Sequence, residues 1–235
     1  MQKETIKGMK VLVLASGGLD SISTALSLKN DYDVTLLTFQ YGQKASKETE
    51  IVKLLSEKYQ LPLVDYDITS LKEIFGKNQL TAAEEDVKYG YEKSVIVPLR
   101  NAVFLQIAMV YAYTHGFDEV WLGSHLNDCE EVEGERSFPD CSPEFFKAFE
   151  LAMDFGTLRK QRKIKIKTPS VLGWHKADLI KKSVQIDPEM LFSSWSCYLS
   201  GDYQCGVCNS CLNRKNAFIA AGIEDKTEYA NRISG

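Results

Sequence analysis

Lys10-Val11-Leu12-Val13-Leu14-Ala15-Ser16-Gly17-Gly18-Leu19-Asp20-Ser21 is the stretch whose reading decides the fold. After Lys10 its first half is an unbroken apolar run of valine and leucine ending in Ala15, the pattern of a strand buried on both faces of a parallel sheet. Two glycines follow, which let the backbone turn sharply and come close to a ligand. Residues 21–28 then read as a helix, so the glycines stand at a strand-to-helix junction. The first N–H groups of a helix have no partner within it, and its dipole adds positive charge at that end. Such an end binds phosphate. Ser16 and Ser21 add hydroxyl donors, and Asp20 suits a magnesium ion that bridges it to phosphate oxygens. The string matches neither the GxxxxGK[ST] of a Walker loop nor the GxGxxG of a dinucleotide site.

Working outward, residues 34–39 and 61–67 read as strands around a helix at 46–59, whose Ile51, Leu54 and Leu55 share one face. Residues 70–93 are polar and irregular, the best candidate for a mobile surface segment over a site. A short strand-like run at 95–97 precedes a strongly apolar helix at 101–114. Residues 119–123 form a further strand ending in Gly123. A helix at 145–155, a strand at 163–168 and a helix at 176–183 complete the alternation. This order predicts an α/β fold with a doubly wound, Rossmann-like parallel sheet over residues 1–186. Residues 187–235 break the pattern as a cysteine-rich tail closed by a helix at 213–221.

The chain of 235 residues carries 28 Lys and Arg against 32 Asp and Glu, a net charge of −4. That balance argues against a nucleic-acid coat, so direct nucleic-acid binding is not expected. With 44% hydrophobic residues a sizeable core is within reach. Residues 1–8 are polar, and the apolar runs at 11–15 and 102–110 are too short or too interrupted to cross a bilayer. The expectation is a cytoplasmic protein without a membrane partner.

Four of the six cysteines lie in the order Cys197-x7-Cys205-x2-Cys208-x2-Cys211. In a reducing compartment this reads as a metal site, and four thiolates are what a closed tetrahedral zinc site needs. An iron–sulfur cluster is the competing reading, because Cys-x2-Cys-x2-Cys also occurs among its ligands. Cys129 and Cys141 stand apart. His115, His125 and His175 show no ligand spacing, so each reads as a structural or surface group.

These residues carry a resemblance. The string at 16–21 resembles the SGGxDS signature of the PP-loop ATP pyrophosphatases. Over nearly the whole chain the sequence is similar to the 7-cyano-7-deazaguanine synthase family, with its elements in order: Tyr41-Gly42-Gln43 with Glu48 beyond, Val97-Pro98-Leu99-Arg100-Asn101, Pro139-Asp140-Cys141-Ser142-Pro143-Glu144-Phe145, and Ser196-Cys197-Tyr198 before the cysteine knuckle. Lys44-Ala45 replaces a histidine common after the glutamine, residues 127–137 are longer and more acidic than usual, and the 214–222 segment looks closer to the archaeal branch.

The resemblance implies an adenine nucleotide α-hydrolase type of sheet and an ATP-dependent carbon–nitrogen ligase. It would take 7-carboxy-7-deazaguanine and ammonia, in queuosine- and archaeosine-type biosynthesis. Ala15, Ser16, Gly17, Gly18, Leu19, Asp20, Ser21, Gln43, Arg100, Asn101 and Gly123 would bind ATP. Asp20, Ser21, Arg100 and Lys176 would serve the chemistry, with Mg2+ at Asp20. Phe138, Asp140 and Glu144 would meet the guanine-like base, and Cys197, Cys205, Cys208 and Cys211 would hold Zn2+. A homodimer is expected. Competing readings are a relative that stops at the amide or joins the acid to a protein amine, a PP-loop tRNA-modifying enzyme, and a zinc-ribbon module without catalysis.

Overall fold

The computed structural model describes residues 8–75, 97, 99–132, 135–157 and 163–230, with the backbone alone at 131–132 and 135–136. The expectations for 76–93 and 95–96 therefore fall outside the described residues.

Five parallel strands make one sheet in the order β3-β2-β1-β4-β7: β1 (Lys10–Leu14), β2 (Asp33–Gln40), β3 (Leu63–Asp67), β4 (Glu119–Trp121) and β7 (Lys165–Lys167). Val11 is in register with Val34 on one side and Glu119 on the other, which puts β1 at the centre. The chain runs outward from β1 through β2 to β3, then returns to lay β4 on the opposite side of β1. The carboxyl ends of β1 and β4 thus flank the topological switch point, where open α/β sheets bind ligands. A two-strand ribbon, β5 (Glu131–Val132) and β6 (Glu135–Arg136), folds within the acidic stretch.

Seven helices dress the sheet among the described residues: α1 (Leu19–Leu28), α2 (Lys47–Tyr59), α3 (Arg100–His115), α4 (Pro143–Gly156), α5 (Lys176–Ile186), α6 (Pro188–Ser193) and α7 (Asn209–Ala221). Alternation along β1 sorts the core. Val11 and Val13 pack with Ile22 of α1, Val52 of α2 and the cysteines of the tail, whereas Leu12 packs with Leu105 of α3 and Phe146 of α4. Leu19, Ile180, Leu191 and Phe218 form a third cluster that joins α1, α5, α6 and α7. The tail therefore shares the core of the sheet.

Some boundaries differ from the sequence reading. α6 was not anticipated: Pro188 opens it and the Asp187 carboxylate caps it by accepting from Met190 N at 3.0 Å. α7 starts at Asn209 rather than 213, straight out of the cysteine knuckle. The strand at 163–168 shortens to three residues. In the tail, fully buried Arg214 donates from Nε to Thr227 Oγ1, from Nη1 to Ser194 O, Ser194 Oγ and Ser196 Oγ, and from Nη2 to Leu191 O and Phe192 O. A buried guanidinium is tolerated only when its donors are satisfied in this way. No helix among the described residues is long and apolar enough to cross a membrane.

Candidate active site

The loop at the end of β1 folds onto its own serines. Ser21 Oγ accepts from Ser16 N at 3.1 Å and Gly17 N at 3.3 Å and donates to Gly18 O at 3.1 Å, while Gly18 N donates to Ser16 Oγ at 3.2 Å. Gly17 has φ +95°, and a Cβ there would lie 2.0 Å from Glu48 O. Only glycine fits. At Gly123, just past β4, a Cβ would come within 2.8 Å of Asp20 C and Ser21 N. Two strand ends are thereby drawn against the start of α1, whose unpaired amides face a cavity of about 350 Å³. The tail closes over the same turn, where Trp195 N donates to Gly17 O at 2.9 Å.

Asp20 is held from two other chain segments. Lys176, the first residue of α5, donates from Nζ to Asp20 Oδ2 at 2.9 Å. His125 Nε2 stands 3.4 Å from Asp20 Oδ1 and 3.6 Å from Asp128 Oδ1. Burial alone would raise the Asp20 carboxyl, but the charges of Lys176 and His125 outweigh it and hold Asp20 well below the usual carboxylate range. Burial opposes charge on His125, yet Asp128 and Asp20 together raise it above its ordinary value.

The opposite wall is built by the start of α3. Leu99 takes a left-handed conformation, φ 55°, immediately before Arg100. Arg100 Nη1 donates to Tyr41 OH at 3.3 Å, and Asn101 N donates to Asp140 Oδ2 at 3.1 Å. Gln43 turns back on β2, accepting from Tyr41 N at 2.9 Å and donating to Phe39 O at 3.2 Å. Burial pushes the Glu48 carboxyl up to about 8, against the pull of Arg100. Burial likewise raises Asp140.

Below this wall lie the four cysteines. Their sulfurs lie within 4.8 Å of one another, so the group could hold a metal ion. Cys205 Sγ accepts from Val207 N at 3.5 Å and Cys208 N at 3.3 Å, and Cys197 Sγ accepts from Cys205 N at 3.4 Å. Gly206, at φ +74°, makes the turn that aims these amides at sulfur. Hydrogen bonding with Cys197 drives the Cys208 thiol down to about 2, and the same contact pushes Cys197 up to about 12. Four sulfurs crowded this closely suit a cation.

Residues 10–222 match the family described as "Queuosine biosynthesis protein QueC". The chain belongs to that family. A relative from Methanosphaera stadtmanae, named 7-cyano-7-deazaguanine synthase, is 36% identical over 232 residues, covering 94% of this chain and 98% of its own. One from Brucella anthropi with the same name is 35% identical over 226 residues, covering 94% of each. Among solved structures, the U34-tRNA thiolase NcsA from Methanococcus maripaludis with its [4Fe-4S] cluster aligns with 93% of this chain and 68% of its own, at 16% identity and a TM-score of 0.44.

Within this QueC-family chain the cavity gathers Ala15, Ser16, Gly18, Leu19, Asp20, Ser21, Gln43, Arg100, Asn101, Gly123, Phe138, Asp140, Lys176 and Cys197 in its lining. Gly17 lies behind the lining. Glu144 is exposed on the first turn of α4 and stands outside it. Sequence reasoning treated His125 as a structural or surface group and passed over Asp128, Trp195 and Tyr198, all of which border the site or its neighbour. The available signal was Asp128 three residues after His125, directly past a strand that ends in glycine.

Proposed function

We propose that this chain converts 7-carboxy-7-deazaguanine and ammonia to 7-cyano-7-deazaguanine at the expense of ATP. The observation that carries the reading is the Asp20–Lys176 pair at the opening of the 16–21 loop, in a cavity whose far wall presents Arg100 and Asp140. Relatives named for this synthase support it.

In this reading the first amides of α1 and the serine hydroxyls bind the phosphates leaving as pyrophosphate. A magnesium ion held at Asp20 would supply charge neutralisation there. A substrate carboxylate oxygen attacks the α-phosphorus, and the bond to pyrophosphate breaks. Ammonia then adds to the acyl carbon and AMP departs, leaving the amide and a proton. A second ATP adenylates the amide oxygen, and loss of AMP and the remaining N–H protons gives the nitrile. Arg100 and Lys176 face the charge that develops on phosphate, and positioning with charge stabilisation carries the catalysis. Phe138 offers a face for the base, and the Asp140 carboxylate stands in the same lining to meet its N–H edge. Zinc on Cys197, Cys205, Cys208 and Cys211 would have no open position, so it would fasten the tail to the site.

Apolar side chains left exposed on α3 (Val110) and α4 (Leu151) support a homodimer, which light scattering tests. The activity is tested by mass spectrometry of a reaction with ATP, magnesium, ammonium and 7-carboxy-7-deazaguanine. An ATP-dependent nitrile that disappears in Asp20→Ala supports the reading. Amide alone, or AMP release without a new small molecule, rejects it and favours the acceptor suggested by the longer acidic stretch at 127–137.

A further inference from the structure

Glu48, the second residue of α2, has no part in the steps above. An acid in the first turn of a helix ordinarily stands in solvent against the positive end of the dipole. Glu48 instead lines the cavity that also takes in Asp20, Arg100 and Asp140. The glycines of the loop fix its place. The Glu48 carbonyl packs so close to Gly17 that a Cβ there would lie 2.0 Å from it, and a Cβ on Gly18 would lie 3.8 Å from Glu48 Oε1. Backbone contact thus carries this carboxyl against the turn that would seat the phosphates.

Four carboxyls reach this lining: Asp20, Glu48, Asp128 and Asp140. Three of them are already engaged. Asp20 accepts from Lys176 Nζ at 2.9 Å and pairs with His125. Asp128 accepts from His125 N at 3.0 Å and stands beside the same imidazole, and Asp140 accepts from Asn101 N at 3.1 Å. The Glu48 side chain has no hydrogen bond or ion pair among the described residues. Facing it are the Arg100 guanidinium from the start of α3 and the Tyr41 phenol from the turn after β2, with Lys44 and Tyr198 in the same lining. Burial disfavours its charge and Arg100 favours it, a balance that sets the carboxyl at about 8. A general base works best near the ambient pH, whereas Asp20, held well below the usual carboxylate range, is too weak to take a proton.

We propose that Glu48 is the general base that takes protons from the reacting nitrogen. The proposal rests on the adenylation reading above. The substrate's own carboxylate is already ionised, so its adenylation releases no proton. The nitrogen then loses its protons in turn: as the C–N bond of the amide forms and AMP leaves, as the amide oxygen bonds phosphorus and pyrophosphate leaves, and as the C–O bond breaks to give the nitrile. At each step the N–H electron pair stays with nitrogen and the Glu48 carboxylate becomes the acid. Glu48 returns the proton to water before the next step.

The test separates the step that moves no proton from those that do. Glu48→Gln keeps the shape of the side chain and removes the base. ATP–pyrophosphate exchange, followed with radiolabelled pyrophosphate in the presence of 7-carboxy-7-deazaguanine and no ammonium, should stay within about threefold of the parent in this variant. Amide formation with ammonium, and conversion of supplied amide to nitrile, should each fall in kcat by about 100-fold. The second conversion needs no ammonium, so its kcat in the parent should rise with pH through about 8 as Glu48 ionises, and Glu48→Gln should lack that rise. Glu48→Asp keeps a carboxyl on a shorter arm and should retain the rise at about a tenth of the parent rate. Exchange that falls in Glu48→Gln by the same factor as amide turnover would overturn the proposal, making Glu48 a support for the loop. Full amide turnover in that variant, or a pH profile like the parent's, would overturn it as well. If the parent itself shows no exchange, the adenylation reading fails and the base falls with it.

Discussion

The 16–21 loop and the 197–211 cysteine knuckle both gather backbone amides onto side chains, but they are held in shape differently. The loop is organised by the protein itself: serine hydroxyls satisfy its amides, and Gly17 and Gly123 let Glu48 and Asp20 come within van der Waals contact. In the knuckle the amides reach only sulfur, at 3.3 to 3.5 Å, and the sulfurs crowd each other. One region holds its shape through its own hydrogen bonds and glycines, whereas the other would need a cation to hold its sulfurs together. The lesson is that damage should express itself as lost chemistry in the first and lost folding in the second.

The strongest break in that contrast is metal removal. Cys208→Ser, or a strong chelator, should destabilise by on the order of 5 kcal/mol, a drop of more than about 10 °C in Tm. Metal analysis of the parent should find one zinc per chain; retained metal and Tm in the variant would remove the distinction. Next comes Gly123→Ala, whose Cβ displaces the start of α1. It should cut AMP formation about 100-fold for a stability cost of about 1–3 kcal/mol. Unaltered turnover there would mean the loop yields freely. Lys176→Met should lower kcat/KM for ATP by about 100-fold, with zinc content unchanged.

The smallest effect is the pH dependence of Glu48. Burial raises this carboxyl from 4.5 to about 8. A raised carboxyl pKa favours the folded protonated form, so its contribution is complete below 4.5 and is lost as pH rises through about 8. Melting curves between pH 5 and 8 should fall by about 3–8 °C, an effect worth about 1–3 kcal/mol after solvent screening, and Glu48→Gln should flatten the slope. An unchanged slope in that variant would assign the dependence elsewhere.

The sheet was legible because strands buried on both faces must be largely apolar: 11–15 is wholly so, and 34–39 is interrupted only by Thr35 and Thr38. The glycine string and the cysteine spacing were legible because each local pattern has few physical uses. What stayed hidden arises from the order of strands. His125 meets Asp20 only because β4 returns beside β1, and nothing within either segment encodes that meeting. Arg214 reads as a helix-surface cation until Ser194, Ser196 and Thr227 close around it. α6 was too short for periodicity to register, although Asp187-Pro188 carried a cap and a first-turn proline.

The bond from Trp195 N to Gly17 O has a consequence for the birth of the protein. Gly17 leaves the ribosome long before Trp195, so the loop is made well ahead of its cover. Until Trp195 follows, the nascent chain exposes an unfinished loop. Completion waits for the segment from Trp195 to Cys211 to emerge, so this assembly step joins stretches far apart in the sequence.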